Sequence, residues 1–476
     1  MSSMKILSEG EFDNRAKRSR RVAVFREFLA DRETPVAALS RLGEDDECFL
    51  LESVSGGETR GRYSYLGLEP LCRIEGADAF RGMRARFEAA HYEAAPELPP
   101  FQGGAVGYVA YDAVRLFEPT VGLRFEAGTP PMAFLLCDAF LVFDNARDTV
   151  MVVVVADSSR PGAYSAAMRR IDAIYDRVLS AESIARVAAR GGSPRKASPA
   201  GEFAGEMSRE EFCEMVEKCK AAISAGEVIQ IVPSQKFTVE SDVSGLSLYR
   251  ALRTVNPSPY NFFMRIGGKT LIGSSPEELV KLSGRTASTS PIAGTRPRGE
   301  TALRDAELER ELKSDEKENA EHVMLVDLGR NDLGRVCETG SVKVNGFAKV
   351  ERYSHVMHLV SNVTGTLERR FKAFDLLQAA FPAGTLSGAP KVRAMQLIAE
   401  FEKSPRGIYG GAAGFFSLTG DMDFAIVIRT LVKEGARLTM RSGAGIVADS
   451  DPEKEYAETI NKAKAVFEAV KFAEEL

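Results

Sequence analysis

The stretch from Asp315 to Val336 reads DEKENAEHVMLVDLGRNDLGRV and combines a helical apolar period with several acidic residues. The period is clearest over Asp315–Val326 and predicts a helix there. Glu318 and Glu321 lie three residues apart in this run, a spacing that places two side chains on one face of a helix. The stretch therefore predicts a helix that presents a pair of carboxylates.

A second pair of glutamates lies on the helix predicted for the end of the sequence, over Asp451–Glu475. Asp451 is a suitable N-cap and Pro452 occupies the first helical position, so the start is well marked. Glu455 and Glu458 are again three residues apart. If the two helix faces meet, the four carboxylates would suit Mg²⁺, which prefers oxygen ligands and keeps several waters. Spacing alone favours a plainer interpretation, two solvent-exposed acidic faces.

Three segments rich in Gly, Ser and Thr lie between the ordered runs. They read SPIAGTRPRG from Ser290, FPAGTLSGAPK from Phe381 and RSGAGIV from Arg441. Turns of this composition bring backbone N–H groups close to an anionic ligand. None contains the GxxxxGK[ST] pattern of a P-loop, and none has the surroundings of a dinucleotide site. Together with a metal site, they indicate a small substrate that carries more than one negative charge.

Strand-like and helix-like runs alternate through both halves of the chain. Strands are predicted over Phe134–Phe143, Met151–Ala156, Val228–Val232, Thr270–Gly273 and Phe424–Leu431, and further helices over Phe80–Ala90, Tyr164–Leu179 and Arg209–Ser224. The segment Ala189–Glu206 is rich in Gly, Ser, Pro and Ala and is the predicted linker. Gly103–Tyr108 and Gly410–Phe415 read GGAVGY and GGAAGF, which indicates either a duplicated architecture or coincidence between Gly-rich strands.

Composition excludes several classes of function. The 476 residues carry a net charge of −5, and a nucleic-acid-binding protein usually has a basic stripe instead. No apolar run approaches the roughly 20 residues of a membrane helix. The six cysteines include no CxxC pair, which predicts reduced thiols and a cytoplasmic location. No cysteine has the surroundings of a glutaminase nucleophile, so ammonia taken from glutamine would have to come from another chain.

Several motifs resemble those of one known family. DEKENAEHVMLVDLGRNDLGRV, PIAGTRPRG, FPAGTLSGAPKVRAM, IYGGAAGFF from Ile408 and DPEKEYAETINKA from Asp451 are similar to segments of chorismate-utilising enzymes, specifically of the anthranilate synthase component I group. The match extends to LLES at Leu50–Ser53, GRYSYLG at Gly61–Gly67 and GGAVGYVAYD at Gly103–Asp112. The resemblance implies a mixed α/β (α+β) fold, a large sandwich of two face-packed antiparallel sheets with outer helices. Residues 1–200 would form an N-terminal regulatory part, interleaved with a catalytic, chorismate-binding part over 205–476.

Two positions separate the chemistries within this family. Isochorismate- and salicylate-forming members carry a Lys at the position of Gln230, where it activates water, and Gln cannot take a proton at pH 7. Aminodeoxychorismate synthases carry a nucleophilic Lys at the position of Ala293, which Ala cannot replace. The resemblance therefore implies free ammonia as the nucleophile. Amination of chorismate followed by loss of pyruvate would give anthranilate, in the first step of tryptophan biosynthesis.

The resemblance also implies a metal and its ligands. Glu321 and Glu458 would bind Mg²⁺, while Glu318 and Glu455 would hold its waters. The metal would bind the ring carboxylate of chorismate and stabilise charge as the 4-hydroxyl leaves.

The remaining implied roles concern proton transfer and substrate binding. Glu277 would protonate the departing hydroxyl, with a pKa raised by neighbouring carboxylates. His358 would serve the loss of pyruvate. The other implied active-site positions are Gln230, Thr385, Gly294, Thr295, Tyr409, Arg429, Gly443, Ala444, Gly445 and Lys462.

The N-terminal motifs imply regulation and a partner. Members inhibited by tryptophan hold it between LLES and NPSPY, here through Glu52, Ser53, Asn256, Pro257 and Tyr260. An apolar residue usually follows NPSPY, whereas this chain has Asn261, and a polar group that lined the indole pocket would weaken binding. A glutamine amidotransferase subunit would supply ammonia, in a heterotetramer.

Three other functions remain open from the sequence. An aminodeoxyisochorismate synthase would stop after amination, and His358 argues against that alternative, as Ala293 does against aminodeoxychorismate synthase component I. A non-catalytic subunit that senses tryptophan or chorismate would need no metal, so the four glutamates argue against it.

Overall fold

Two antiparallel sheets dominate the structure, a computed structural model that describes residues 4–53, 61–180, 201–352 and 356–476. The strands are β1 (Arg21–Leu29), β2 (Cys48–Glu52), β3 (Tyr63–Leu68), β4 (Cys72–Glu75), β5 (Gly104–Val109), β6 (Met132–Cys137), β7 (Ala139–Asp144), β8 (Thr149–Asp157), β9 (Ala204–Gly205), β10 (Gln230–Ile231), β11 (Ser234–Glu240), β12 (Tyr260–Ile266), β13 (Lys269–Ser275), β14 (Glu278–Ser283), β15 (Thr286–Thr289), β16 (Ile292–Pro297), β17 (Lys343–Arg352), β18 (Val356–Thr366), β19 (Gly388–Ala389), β20 (Ala412–Ser417), β21 (Met422–Ile426), β22 (Thr430–Glu434) and β23 (Arg437–Gly443). The α-helices are α1 (Glu9–Ala16), α2 (Pro35–Leu39), α3 (Ala79–Ala90), α4 (Ala163–Val178), α5 (Arg209–Ser224), α6 (Gly245–Val255), α7 (Ala302–Ser314), α8 (Glu316–Gly334), α9 (Ala373–Ala380), α10 (Lys391–Phe401) and α11 (Pro452–Ala473).

Each sheet contains strands from both halves of the sequence. Sheet A has 11 strands in the order β1-β8-β7-β3-β2-β12-β13-β22-β23-β11-β9. Sheet B has 10 strands, β16-β18-β15-β14-β21-β20-β5-β6-β4 with β17 beside β18. In sheet A, Glu52 of β2 lies opposite Asn261 of β12, and in sheet B, Gly107 of β5 lies opposite Gly414 of β20. The two GGA segments are therefore neighbouring strands of one sheet.

Aromatic side chains fill the space between the two sheets. Phe101 is fully buried, with ring centroids 4.9 Å from Phe140 of sheet A and 5.1 Å from Phe415 of sheet B. Tyr65 of sheet A also reaches Phe415, at 6.1 Å. Contacts of this kind add to the burial of large apolar surfaces. The predicted sandwich of two face-packed antiparallel sheets is confirmed.

Helices cover the outer faces of the sandwich. On sheet A, Val466 and Val470 of α11 join Leu252 of α6 and Leu438 of β23 in one buried cluster. On sheet B, Phe374 of α9 packs on Phe416 with ring centroids 4.3 Å apart. Val326 and Leu333 of α8 belong to the same buried cluster as Phe374, so α8 lies on sheet B as α11 lies on sheet A. Within the described residues, no helix is long and apolar enough to cross a membrane.

Two of the predicted strands are wrong, because each run contains parts of two strands, one in each sheet, joined by a crossing between the sheets. The run over 134–143 breaks at Asp138, where the chain leaves β6 of sheet B and enters β7 of sheet A. The run over 424–431 breaks at Arg429, between β21 of sheet B and β22 of sheet A. Residues in both sheets are buried, so apolar character continues across the crossing and hides it. Arg429 has φ of +50°, a conformation rare outside Gly.

The other predicted elements differ mainly at their ends. The helix over 209–224 has the predicted bounds, and the helix predicted over 315–326 continues to Gly334. The strand over 228–232 is reduced to the two residues of β10, which pair with β19. Of the predicted linker, residues 189–200 lie outside the described residues.

Candidate active site

One cavity of about 610 Å³ collects most of the residues that the motifs single out. It opens where α8 and α11 begin, beside the ends of β16 and β23. Its walls include Gln230, Glu277, Gly294, Thr295, Glu318, Glu321, His358, Thr385, Tyr409, Arg429, Gly443, Gly445, Glu455, Glu458 and Lys462. Ala444 is completely buried and is not among the lining residues. Residues far apart in the sequence thus meet in one polar cavity.

Both helices begin at a capping aspartate, and this fixes where their glutamates point. Asp315 Oδ1 accepts hydrogen bonds from the N–H groups of Lys317 and Glu318, both at 3.1 Å. Asp451 Oδ1 does the same for the first turn of α11, at 3.0 and 3.1 Å. Such caps satisfy N–H groups that have no partner inside the helix. The positive ends of two helix dipoles therefore lie beside the cavity and favour anions there.

Two of the four glutamates titrate above their ordinary range. Burial raises the pKa of Glu318, an effect to which Glu321 adds and which Arg296 opposes through an ion pair at 3.3 Å. Burial likewise raises the pKa of Glu455 and the neighbouring Glu458 adds to the increase, although Ser450 and the nearby lysines oppose it. A cation in the cavity would relieve this carboxylate repulsion.

The four carboxylates do not converge on one point. Across the described residues, no group of three or more His, Cys, Asp or Glu side chains is close enough to hold a metal ion. Glu321 accepts a hydrogen bond from the Gln230 amide at 3.2 Å, and Glu458 forms an ion pair with Lys462 at 2.6 Å. The donor chemistry fits Mg²⁺, since all four are hard oxygen ligands that face one cavity. In the conformation described, however, the two glutamates predicted to be direct ligands are bonded to protein donors.

Glu277 is the carboxyl most altered by its surroundings in the cavity. It is 8% exposed, and burial raises its pKa to about 8. The Ile292 N–H and the charges of Lys462 and Arg429 oppose this increase; so does Thr385, although its hydroxyl lacks full hydrogen-bond geometry. The predicted direction is therefore right, but its predicted cause, repulsion by other carboxylates, is wrong. Glu277 carries a proton at neutral pH.

His358 lies on β18 opposite Thr295 of β16. Its Nδ1 is 3.1 Å from the carbonyl oxygen of Gly294 and 3.0 Å from the Thr295 hydroxyl. A carbonyl only accepts hydrogen bonds, so the network assigns the proton to Nδ1. Burial lowers the pKa of His358, and the ring is neutral at pH 7 with Nε2 unprotonated. The arrangement supplies a base of fixed orientation.

Gln230 and Ala293, the two positions that the resemblance implies for the choice of nucleophile, both lie in the cavity wall. Gln230 is 2% exposed, and its Oε1 is buried without a hydrogen-bond partner in the part of the chain described. Ala293 is 7% exposed and also lines the cavity. A lysine at either position would therefore face the substrate.

Glycine is required at two points of the wall. Gly294 has φ of +65°, and a Cβ there would lie 2.8 Å from Leu312. A Cβ on Gly443 would lie 2.6 Å from the carbonyl oxygen of Pro233 and 3.1 Å from the Tyr409 hydroxyl. The Gly443 carbonyl accepts a hydrogen bond from Lys462 at 3.1 Å. These glycines let the backbone approach the cavity closely.

A second cavity, of about 540 Å³, lies next to the first and shares Pro276 and Ile292 with it. Ser53 and Tyr260 line this second cavity, as the resemblance implied for a tryptophan site. Tyr260 donates a hydrogen bond to Glu278 at 3.1 Å, and Glu278 is next to Glu277 in the sequence.

The other residues implied for tryptophan are placed differently. Glu52 is buried, accepting a hydrogen bond from Tyr249 at 2.5 Å and pairing with Arg253 at 3.5 Å. Asn256 accepts a hydrogen bond from Arg429 at 3.2 Å. Neither they nor Pro257 are among the residues that line the second cavity.

The structure places Asn261 away from the second cavity. Asn261 is 1% exposed, and its amide donates to the Ser258 carbonyl at 2.7 Å, so it is not the lining residue that we expected.

Sequence reasoning missed several residues that line the first cavity, above all Arg441. It is 4% exposed, lines the cavity, and donates to the Ser234 hydroxyl at 3.3 Å. It is the first residue of the RSGAGIV segment, and its positive charge beside Gly-rich turns was the available signal for a residue of the cavity. Lys317 of α8 was also missed, although it stands beside Glu318 in the first stretch quoted.

The fold and this site together define a class of enzyme. The chorismate binding enzyme family matches residues 46–468, so the chain belongs to this family. The resemblance drawn from the motifs is thereby confirmed.

Within the family, the similar proteins include several named anthranilate synthase component 1. Anthranilate synthase component 1 of Acetivibrio thermocellus is 42% identical over 96% of either chain. That of Streptomyces coelicolor is 45% identical over 95% of this chain and 89% of its own. The crystal structure of anthranilate synthase component I from Streptococcus pneumoniae TIGR4 matches with a TM-score of 0.75 and 35% identity, covering 92% of this chain and 98% of that one. The menaquinone-specific isochorismate synthase from Escherichia coli has a TM-score of 0.73 at 20% identity over 95% of both chains, which shows a shared fold alone.

Proposed function

We propose that the chain is the chorismate-converting subunit of anthranilate synthase. The observation that carries this proposal is one cavity that contains a protonated Glu277, a neutral His358 and four glutamates, but Gln230 and Ala293 where a nucleophile-generating lysine would stand. Near full-length similarity to proteins named anthranilate synthase component 1 supports it.

Glu277 is the general acid of the amination step. Ammonia adds at carbon 2 of the ring, the ring electrons shift, and the bond from carbon 4 to its hydroxyl oxygen breaks. Glu277 gives its proton to the departing oxygen, which leaves as water. A pKa of about 8 keeps the proton in place at neutral pH while leaving it transferable.

His358 serves the second half of the reaction. The proton on carbon 2 is removed and the bond from carbon 3 to the ether oxygen breaks, so that pyruvate leaves and the ring becomes aromatic. The neutral ring, held at Nδ1 by the Gly294 carbonyl, directs an unprotonated Nε2 at this proton transfer.

Other cavity residues bind the substrate. Arg429 and Lys462 offer positive charge to its carboxylates, beside the N–H groups of the Gly443–Gly445 turn. Tyr409, Thr295 and Thr385 present hydroxyls to its remaining oxygens.

Mg²⁺ is the proposed cofactor, supported by the oxygen ligands in the cavity. Glu321 and Glu458 would bind it, exchanging their present bonds to Gln230 and Lys462 for the ion, while Glu318 and Glu455 would hold its waters. When bound, the metal would supply positive charge to the ring carboxylate and to the departing oxygen.

A glutaminase partner, tryptophan inhibition and a cytoplasmic location complete the proposal. The sequence has no glutaminase signature, which supports ammonia delivery by a separate amidotransferase subunit in a heterotetramer.

Tryptophan would bind in the second cavity. The wall of that cavity includes Ile292, whose backbone N–H interacts with the Glu277 carboxyl. Six free cysteines support a reducing compartment.

The experiment that separates this function from its rivals is product analysis. The purified chain should form anthranilate when mixed with chorismate, Mg²⁺ and an ammonium salt. An aminodeoxyisochorismate synthase would release only the aminated, pyruvyl-bearing compound, and a sensing subunit would consume no chorismate.

A further inference from the structure

Arg429 occupies an unusual position between the two sheets. It is the residue at which the chain passes from β21 to β22, and its φ of +50° is rare outside Gly. Its guanidinium faces the catalytic cavity and lies close enough to Glu277 for their charges to interact. Such a conformation persists only where the surroundings hold it, and it often marks a functional residue.

The surroundings that hold Arg429 are a closed ring of hydrogen bonds with two other residues. The Arg429 guanidinium donates to Asn256 Oδ1 at 3.2 Å, and the Arg429 carbonyl accepts from the Ser274 N–H at 3.2 Å. The Ser274 hydroxyl in turn donates to the Asn256 carbonyl. Both the side chain and the backbone of the arginine are thereby tied to the same pair of residues.

The chemistry of the acceptor matters as much as its position. Asn256 offers a neutral amide oxygen, which orients a guanidinium without neutralising its charge. A carboxylate at the same place would orient it too, but would compete with an anionic substrate for the charge.

We propose that Asn256 is a positioning residue: it holds the Arg429 guanidinium in place for a carboxylate of the substrate. The inference rests on the proposed function, in which Arg429 binds that carboxylate. It assigns to Asn256 a role in the catalytic cavity, whereas the motif alone implied a role in binding tryptophan. Asn256 does not line the second cavity, which agrees with this assignment.

Two substitutions separate positioning from a purely structural role. Asn256 also ends α6, donating its N–H to the Leu252 carbonyl, and any residue but Pro can make that bond. Asn256→Ala removes the acceptor, and we expect KM for chorismate to rise about 10-fold with kcat changed by less than about two-fold. Asn256→Asp keeps the shape and the acceptor, but it adds a charge and loses the amide N–H that donates to the Ser274 carbonyl at 3.5 Å, and we expect KM to rise at least as much. A purely structural role would instead lower the Tm of both variants while leaving KM close to wild type.

A double-mutant cycle with Arg429→Lys tests the route of the effect. Lysine keeps the charge but cannot span the same contacts, so in that background Asn256→Ala should change KM by less than about two-fold. Thr254→Ala, whose hydroxyl bonds only the Arg250 carbonyl in α6, is the matched control and should behave as wild type. Thermal unfolding of each variant checks that the fold is intact.

Titration calorimetry of chorismate, without ammonia, keeps the test separate from turnover. A weaker Kd for both Asn256 variants supports the proposal even if the product proves not to be anthranilate. A wild-type KM and Kd for Asn256→Asp, or a full effect of Asn256→Ala in the Arg429→Lys background, would overturn it.

Discussion

The stability of a Glu277→Gln variant, measured relative to wild type at the same pH, should be greater at pH 8 than at pH 5. The folded protein raises the pKa of this carboxyl from the ordinary 4.5 to about 8 by burial. Between those two values the unfolded chain has lost the proton and the folded chain still binds it. The folded state then holds more protons, so wild-type stability falls as pH rises through this window. Glutamine has no proton to lose, and the variant escapes the fall.

The size of the effect follows from the difference between the pKa values of Glu277 in the unfolded and folded states. At about 1.36 kcal/mol per pH unit, the interval from 4.5 to about 8 corresponds to an upper value of about 4.8 kcal/mol. A chain of 476 residues has an unfolding entropy of about 1 kcal/mol per degree, from roughly 2.1 cal/mol/K per residue. Roughly 3.5 kcal/mol of this falls between pH 5 and pH 8, so the difference in Tm between variant and wild type should grow by up to about 3.5 °C over that range.

Differential scanning calorimetry at a series of pH values measures this difference directly. Hydrogen bonds that the substitution removes shift Tm by the same amount at each pH. The test therefore uses only the pH-dependent part of the Tm difference between variant and wild type. Glu88→Gln, on the exposed face of α3, is the matched control and should show no such trend. Glu277→Gln should also lose about 100- to 10,000-fold in turnover, as expected when a general acid is removed. A Tm difference that is constant between pH 5 and pH 8 would refute the reasoning.

The remaining predictions concern the metal, the second half-reaction, the partner and the inhibitor. Glu321→Gln or Glu458→Gln should raise the Mg²⁺ concentration for half-maximal activity at least about 10-fold, and a normal Mg²⁺ titration would contradict their assignment. His358→Met should reduce anthranilate formation about 100- to 10,000-fold while chorismate is still consumed, with the aminated intermediate visible by chromatography; an equal decline of both would place His358 in binding instead. The isolated chain should use ammonia but not glutamine, so glutamine-dependent activity in the purified chain would reveal a missed site. The chain contains no Trp, so the fluorescence of added tryptophan, excited where tyrosine does not absorb, reports its binding, and Tyr260→Ala should weaken that binding if the second cavity is the site.

Helices and strands could be predicted from the sequence where characteristic residues mark their ends. The Asp and Pro signals that start α11 are local, and its predicted bounds are close to the observed ones. The crossings at Asp138 and Arg429 could not be predicted, because strands buried in either sheet are apolar and a change of sheet leaves no period in the sequence. The arrangement of two sheets came from the resemblance alone.

The residues that meet in the first cavity were predicted better than the contacts between them. The glutamates and glycines that the motifs singled out line one cavity, yet the bond from Gln230 to Glu321 and the ion pair of Glu458 with Lys462 depend on tertiary geometry. Burial, which dominates the pKa of Glu277, is likewise a property of the folded molecule. Arg441 was missed because a single arginine at the edge of a Gly-rich segment has many possible uses.

The most direct test of the central claim is a product measurement on the purified wild-type chain with chorismate, Mg²⁺ and an ammonium salt. The proposed roles of Glu277 as acid and of His358 in elimination predict anthranilate fluorescence and an equal amount of pyruvate. Consumption of chorismate to isochorismate, or to an aminated compound that keeps its pyruvyl group, would contradict it.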